Sequence, residues 1–362
     1  MIEVLTSCGW PMVLICSAIA CVASWILTRL SIPLLGRFRA IDVPGPRSSH
    51  DRPTPRGGGI SLAAGWLLAI AFWGLFCGPL GTRFFGVGWQ FWLGLLLVFL
   101  AGLLDDFLGG VPILFRLLAQ VLAATLLVSR TGGIDTLTFP GSTAIEPGWF
   151  AQFLAVVWIV GVINFYNFLD GIDGFAAVQG VVAGVGIALV SGRIELSLLA
   201  LTAAGACLGF LPHNWHRAKV FLGDSGSSFL GYLFAAIPLM ASPVESTHLV
   251  FLTALFLWFF LADGTFTLMS RSFRRERVWE AHRSHLYQRL VQTGLRHDQV
   301  VLSVAVLMAI VSGLAVLAAR QSSQKVLLSS IISAVVFFLV LVVWVLKRES
   351  RLRAESDSTQ NG

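Results

Sequence analysis

Charge is what this chain has least of. Lys, Arg, Asp and Glu together make up 12% of its 362 residues. Soluble domains carry about twice that share, so a soluble globular protein of this length is excluded. Cysteine is scarce too: Cys8, Cys16, Cys21, Cys77 and Cys207 lie scattered in apolar stretches, with no CxxC and no His at ligand spacing. They read as small buried hydrophobes, which excludes a cysteine zinc centre and a disulfide scaffold. No Walker A sequence, dinucleotide fingerprint or nucleophile elbow is present. The amino terminus, MIEVLTSCGWPMVLICSAIACVASWILTRL, also lacks the basic n-region of a cleavable signal, so its apolar stretch reads as a retained first helix.

What the chain has in excess is hydrocarbon. It is 56% hydrophobic, with mean hydropathy +0.81, and apolar runs recur from end to end. This defines an all-α, polytopic integral membrane protein. Windows of roughly twenty residues place eleven spans at 11–31, 60–77, 89–107, 113–130, 149–166, 174–191, 196–212, 226–241, 248–269, 300–319 and 326–346. Residues 1–346 form one transmembrane domain, and the tail from Lys347, KRESRLRAESDSTQNG, reads as a basic stop with a disordered polar end. Connections then alternate between two sides. Of the 25 Lys and Arg, only Arg83, Arg130, Arg193, Arg320 and Lys325 fall on one side, leaving 25 − 5 = 20 on or beside the other. The positive-inside rule makes that second side cytoplasmic, with the amino terminus outside.

The same alternation puts every polar cluster on the cytoplasmic side, which points to one site assembled from five segments. In GLLDDF, Asp105 and Asp106 end a span with Arg116 the nearest cation in sequence. Neighbours on a helix point about 100° apart, so one can face a cavity while the other binds metal or caps a turn. Two uncompensated carboxylates at a membrane boundary favour a cation. In NFYNFLDGIDG, Asn164, Asn167, Asp170 and Asp173 step by three round a helix end, with Gly171 and Gly174 freeing the backbone. Capping uses one or two such residues, so four suggest binding of a polar small molecule. In VFLGDSGSSFLG, Asp224 offers a hard oxygen ligand and the following helix offers free N–H groups to an anion. His213, Asn214, His216, Arg217 and Lys219 lie just upstream.

Two basic clusters complete the set. RSSHDRPTPRGGG joins Arg47, His50, Arg52 and Arg56 to glycines whose N–H groups can face an anion. AHRSH supplies His282, Arg283 and His285, read as phosphate contacts because zinc needs three or four ligands and none are found at suitable spacing. Asp263 is an intramembrane carboxylate that either pairs with an arginine of the next loop or acts functionally. Carboxylates, amides and cations on one face suit Mg2+-dependent phosphoryl transfer between a soluble anion and a membrane-embedded one.

GLLDDF, NFYNFLDGIDG and FLGDSGSSFLG, in this order, resemble the polyprenyl-phosphate N-acetylhexosamine-1-phosphate transferases. That superfamily includes the phospho-N-acetylmuramoyl-pentapeptide transferase of peptidoglycan synthesis. The resemblance implies an enzyme of the bacterial cytoplasmic membrane, its amino terminus periplasmic. It would move a sugar-1-phosphate from a UDP-N-acetylhexosamine to undecaprenyl phosphate and release UMP, using Mg2+ or alternatively Mn2+. It implies no nucleic-acid partner and leaves a homodimer open. Asp105 matches the residue proposed to activate the lipid phosphate, Asp106 the metal region, and Asp170 and Asp173 the aspartates near uridine and diphosphate. Asp173 is counted with Asp105 and Asp106 as catalytic. Asn214 and Phe221 match the nucleoside pocket, Asp224 the metal ligand, and His282 with His285 the histidine motif of the last large inner loop.

Departures from the family pattern narrow this further. The peptidoglycan enzyme has three successive histidines where HRSH stands, and a lysine after its aspartate pair that is absent here. Both features point to the branch that starts O-antigen or related glycans, and RSSHDRPTPRGGG with HRSHLYQRL resembles its handlers of FucNAc or QuiNAc, with GlcNAc retained. The alternatives are the peptidoglycan transferase and, from a different class, a secondary transporter, which would show midplane carboxylates and repeated halves. A compartment-sensitive reporter fused after Lys347 is expected to read cytoplasmic; an external reading breaks the eleven-span arrangement.

Overall fold

The computed structural model describes residues 9–38, 40–45, 48–77, 88–134, 148, 150–277 and 282–360; Arg47 lies outside them. The described residues form thirteen helices and a two-stranded ribbon. They are α1 (Trp10–Arg37), α2 (Gly59–Phe76), α3 (Trp89–Leu108), α4 (Ile113–Thr131), α5 (Phe150–Phe168), α6 (Phe175–Val190) and α7 (Ile194–Asn214). Then follow α8 (Gly223–Leu239), α9 (Pro243–Phe256), α10 (Trp258–Phe273), α11 (Leu286–Gln292), α12 (His297–Gln321) and α13 (Gln324–Gln360). The ribbon pairs β1 (Ile41–Asp42) antiparallel with β2 (Thr54–Pro55).

This is an all-α, multi-pass membrane protein. Each of the eleven expected segments is helical, and among the described residues eight helices are long and apolar enough to cross a bilayer, or nine if α9 and α10 form one broken span. Helices α6 and α8, of 16 and 17 residues, fall short of the roughly twenty a full crossing takes. The outward surface is apolar, with Leu30, Leu68, Leu75, Leu118 and Val336 exposed, as lipid contact requires. The buried centre is α8, which packs against α2, α3, α5, α7 and α9 and hides nearly every side chain from Ser225 to Leu239.

Three expectations are corrected. The span expected over 248–269 is broken: its halves meet at 75°. Gln179 Nε2 donates to the Phe256 carbonyl at 2.9 Å, and a side chain inserted in the helical ladder is a recognised cause of a sharp bend. The tail is not disordered after Lys347, since α13 continues to Gln360. Arg289 clasps Glu349 with two 2.8 Å bonds, and Arg348 Nε donates to Thr293 Oγ1 at 2.8 Å. Finally, Cys77 is disulfide-bonded, while Cys16, Cys21 and Cys207 are free. Isolated apolar context concealed that pairing.

Helices α3 and α8 touch where Gly102 meets the backbone of Asp224. A Cβ at Gly102 would stand 2.4 Å from the Asp224 carbonyl oxygen, and backbone cannot yield as a flexible side chain can. Gly102→Ala is therefore expected to destabilise the protein by about 1–3 kcal/mol, read from thermal unfolding in detergent. Gly313→Ala on α12, with nothing within 4 Å, is the control expected to be neutral or slightly stabilising.

Candidate active site

One end of the helices gathers the polar clusters around a cavity of about 260 Å3. Its lining draws on four polar segments, GLLDDF not among them: His50 and Arg56 from the first, Asn167, Asp170 and Asp173 from the second, Asn214, Phe221 and Asp224 from the third, and Gln288 and His297 from the last. The first and third segments are stitched by backbone bonds: Phe221 N–H to the Pro55 carbonyl at 2.8 Å, Gly58 N–H to the Phe221 carbonyl at 2.9 Å, and Gly59 N–H to the Leu222 carbonyl at 2.8 Å. This stitching carries Arg56 to the aspartates.

Asp106 is the centre of the network. It is 5% exposed and closes the amino end of α8. Its Oδ1 accepts the Asp224 N–H at 2.8 Å; its Oδ2 accepts the Ser225 N–H at 3.1 Å and the Ser225 hydroxyl at 2.6 Å. A carboxylate at a helix amino end is favoured by the free N–H groups and the helix dipole. The site for an external anion expected at that helix end is thus already filled. Gly223 makes room for this: its φ is +78°, and a Cβ there would meet the Asp106 carboxylate at 2.6 Å.

The aspartates do not lack cations. Arg56 Nε lies 2.7 Å from Asp106 Oδ1 and its Nη2 lies 3.1 Å from Asp105 Oδ2, while the same Nη2 contacts Asp224. Arg116 pairs with the other Asp224 oxygen and stands 3.5 Å from Asp105 Oδ1, which is oriented by the Val111 N–H at 2.9 Å. Burial opposes the Arg56 charge, but Asp224, Asp106 and Asp105 outweigh it and keep the group protonated. Arg56, expected to contact phosphate, is a carboxylate partner here, and Arg116 joins the site although sequence distance hid it.

Three carboxylates (Asp105, Asp106 and Asp224) pair with two guanidinium groups, so the cluster keeps a surplus of negative charge. Burial and then the Asp224 charge push the Asp170 carboxyl well above its usual range. This hard-oxygen donor set fits a divalent cation such as Mg2+. Asp224 and Asp105, which share the Arg56 Nη2, are the carboxylates able to hold it, since both Asp106 oxygens are occupied by α8. Asp173 differs: burial would raise its carboxyl, but the His297 and His216 rings set against it hold it below the ordinary range.

Other expected residues divide clearly. Phe221 lines the cavity with the His50 ring edge-on at 4.8 Å, and Asn167 Nδ2 donates to Ser227 Oγ at 3.0 Å. Asn214 holds the walls together, accepting the Gly174 N–H and donating to the Val220 carbonyl, both at 2.9 Å. Asn164 does not line the cavity; it bridges α5 to α4 by donating to Gln120 Oε1 at 2.7 Å. His282, Arg283 and His285 also lie off it. His285 is buried 3.5 Å from Asp263 Oδ1, which also accepts the Thr267 hydroxyl and the Leu286 N–H at 3.0 Å. The His282 ring packs on His285 at 4.9 Å; burial and then His285 hold its imidazole down to about 4, so it is neutral at pH 7. Arg283 lines a separate basic cavity of about 250 Å3. Gln288, Ser48, Ser49, Asp42 and His297 are cavity residues that the sequence reading did not single out. For His297 the available signal was a lone histidine opening a helix in a polar loop.

Comparison with known proteins fits this architecture. Residues 89–242 match the profile of glycosyl transferase family 4. The "Phospho-N-acetylmuramoyl-pentapeptide-transferase" of Synechococcus sp. is 33% identical over 259 residues, covering 66% of this chain and 72% of the relative. A Bacillus subtilis protein named "Probable undecaprenyl-phosphate N-acetylglucosaminyl 1-phosphate transferase" is 29% identical over 293 residues, 78% of this chain and 80% of the relative. The "Decaprenyl-phosphate N-acetylglucosaminephosphotransferase" of Mycobacterium leprae is 28% identical over 333 residues, 81% and 80% respectively. The chain belongs to glycosyl transferase family 4.

Asp106 and Asp224 are separable by stability. In Asp106→Asn the new amide turns donors towards the Asp224 and Ser225 N–H groups, at a cost of about 1–3 kcal/mol. Asp224→Asn keeps an acceptor for its arginines and is expected to cost less. Thermal unfolding of both in detergent checks this; an equal or larger loss in Asp224→Asn refutes the positioning role of Asp106.

Proposed function

We propose that the protein transfers an N-acetylhexosamine-1-phosphate from a UDP-sugar to undecaprenyl phosphate, giving the lipid diphosphate sugar and UMP. The observation that carries this reading is the gathering of Asp105, Asp106, Asp170 and Asp224 with Arg56 and Arg116 beside a polar cavity at one end of a lipid-facing bundle. The relatives' printed activities support the same reaction class. The cavity end is assigned to the cytoplasm by the distribution of Lys and Arg. The disulfide at Cys77, at the opposite end of α2, is consistent with an oxidising exterior.

In this reading an oxygen of the lipid phosphate attacks the sugar-bearing phosphorus. A new P–O bond forms, and the bond from that phosphorus to the bridging oxygen breaks. UMP leaves with that oxygen and its electron pair. Asp105, held by Arg56 and the Val111 N–H, accepts a proton when the lipid phosphate arrives as its monoanion. Asp224 and Asp105 would hold Mg2+, which would supply neutralisation of the charge that builds as two phosphates meet. Arg56 and Arg116, paired with the aspartates, set positive charge beside the diphosphate, an electrostatic role of the kind that dominates phosphoryl transfer. Phe221 and His50 offer aromatic faces for the base.

The donor is assigned to the FucNAc, QuiNAc or GlcNAc class and the pathway to O-antigen or a related glycan, on the absence of successive histidines in HRSH and of a lysine after the aspartate pair. The identity to the Synechococcus relative favours the peptidoglycan transferase as the second reading.

The test is UMP release by purified protein in detergent with Mg2+, undecaprenyl phosphate and single UDP-N-acetylhexosamines, including UDP-N-acetylmuramoyl-pentapeptide. Release that requires both lipid and Mg2+ is expected, with Asp224→Asn at least ~100-fold slower, in the range typical for loss of a key electrostatic group. Fully active Asp224→Asn enzyme overturns the metal assignment, and preference for the pentapeptide donor overturns the pathway.

A further inference from the structure

Asp173 lies where two histidines converge. His216, in the loop after α7, and His297, the first residue of α12, both turn Nδ1 towards the same oxygen, Asp173 Oδ2, at 2.9 and 3.1 Å. Asp173 and His297 are buried, and the three ligand atoms lie within 4.8 Å of one another. The other ring nitrogen of His297, Nε2, stands 3.1 Å from the Ser49 carbonyl. A carbonyl only accepts, so Nε2 carries the hydrogen, and Nδ1 of the neutral ring keeps its lone pair. The Asp173 N–H points at that Nδ1 from 3.3 Å, which suits an acceptor. A lone pair and a carboxylate oxygen then face each other across 3.1 Å, an arrangement that calls for a cation.

We propose that Asp173, His216 and His297 hold a divalent first-row transition metal ion of the zinc class, distinct from the Mg2+ assigned to the aspartate cluster. Two imidazoles and one carboxylate are borderline ligands that suit zinc or cobalt over magnesium. With bonds of about 2.1 Å, neighbouring ligand atoms stand about 3.0–3.4 Å apart in octahedral or tetrahedral geometry, close to the two separations from Asp173 Oδ2. The Ser49 carbonyl behind His297 is the outer support that fixes a metal-bound imidazole. Three protein ligands leave at least one position open. The three ligands also line a second cavity of about 370 Å3, whose wall carries Arg52, Arg217 and Arg296, so an anion would be drawn to the open position. Sequence spacing concealed this set because its members lie 43 and 124 residues apart.

The test uses the whole protein in detergent, stripped with EDTA and desalted, then offered Zn2+ or Co2+ in the presence of excess Mg2+. One equivalent of zinc per chain is expected by mass spectrometry, and visible absorption bands of nitrogen- and oxygen-ligated Co2+. His216→Ala and His297→Ala are each expected to weaken zinc binding at least ~100-fold, and Asp224→Asn to leave it unchanged. No zinc retained by the unmodified protein overturns the proposal and leaves a proton on His297 as the cation. Zinc lost in Asp224→Asn but kept in the histidine variants also overturns it, placing the ion among the aspartates. Should the alanine variants fail to fold, the Co2+ spectrum of the unmodified protein decides alone: absence of the bands overturns the proposal.

Discussion

The rest of the site depends on Asp106 closing the amino end of α8. A carboxylate buried at the boundary of a bilayer is tolerable only with partners, and Asp106 has them on every side: two N–H groups and a hydroxyl from α8, and the Arg56 guanidinium. That bond set locks α3 to α8 at the depth where Gly102 lets their backbones touch. Asp105 and Asp224 are then placed beside one another by the helices that carry them. Gly223 is the local condition, because its left-handed backbone and missing side chain admit the carboxylate.

Around this lock the molecule separates rigidity from chemistry. The helices meet lipid with leucines and valines and pack inward on α8, while the polar residues are confined to one end. Loops there are held by backbone bonds between the 54–59 and 220–222 segments, so Arg56 arrives pre-positioned. Two cations against three paired carboxylates leave the cluster short of positive charge, and that shortfall is what a divalent ion would fill so that a diphosphate substrate can approach. Low dielectric at such a site strengthens each of these interactions, which explains why so few charged residues suffice.

The last inner segment shows how a motif and its position part company. His282, Arg283 and His285 have the chemistry of phosphate ligands, yet His285 turns inward to Asp263 and His282 is packed neutral against it. The cavity is reached instead by Gln288, one turn along α11, and by His297 at the start of α12. Histidine identity was visible in the chain; the direction each ring faces was set by the packing of α10 against α5 and α13.

Hydropathy alone determined the membrane class, the helical segments and the grouping of polar clusters at one end. Bilayer hydrocarbon imposes those features on composition whatever the tertiary detail. The order of GLLDDF, NFYNFLDGIDG and FLGDSGSSFLG likewise carried the family, because glycines and carboxylates at close approach leave a local signature. Only the tertiary structure decided that Arg56 and Arg116 neutralise the aspartates, that Asn164 bridges helices, that α9 and α10 bend, and that Asp173 meets two histidines. Each of these is a contact across tens to hundreds of residues. Spacing along a chain constrains neighbours on one helix face, whereas charge pairing between segments depends on how whole helices pack.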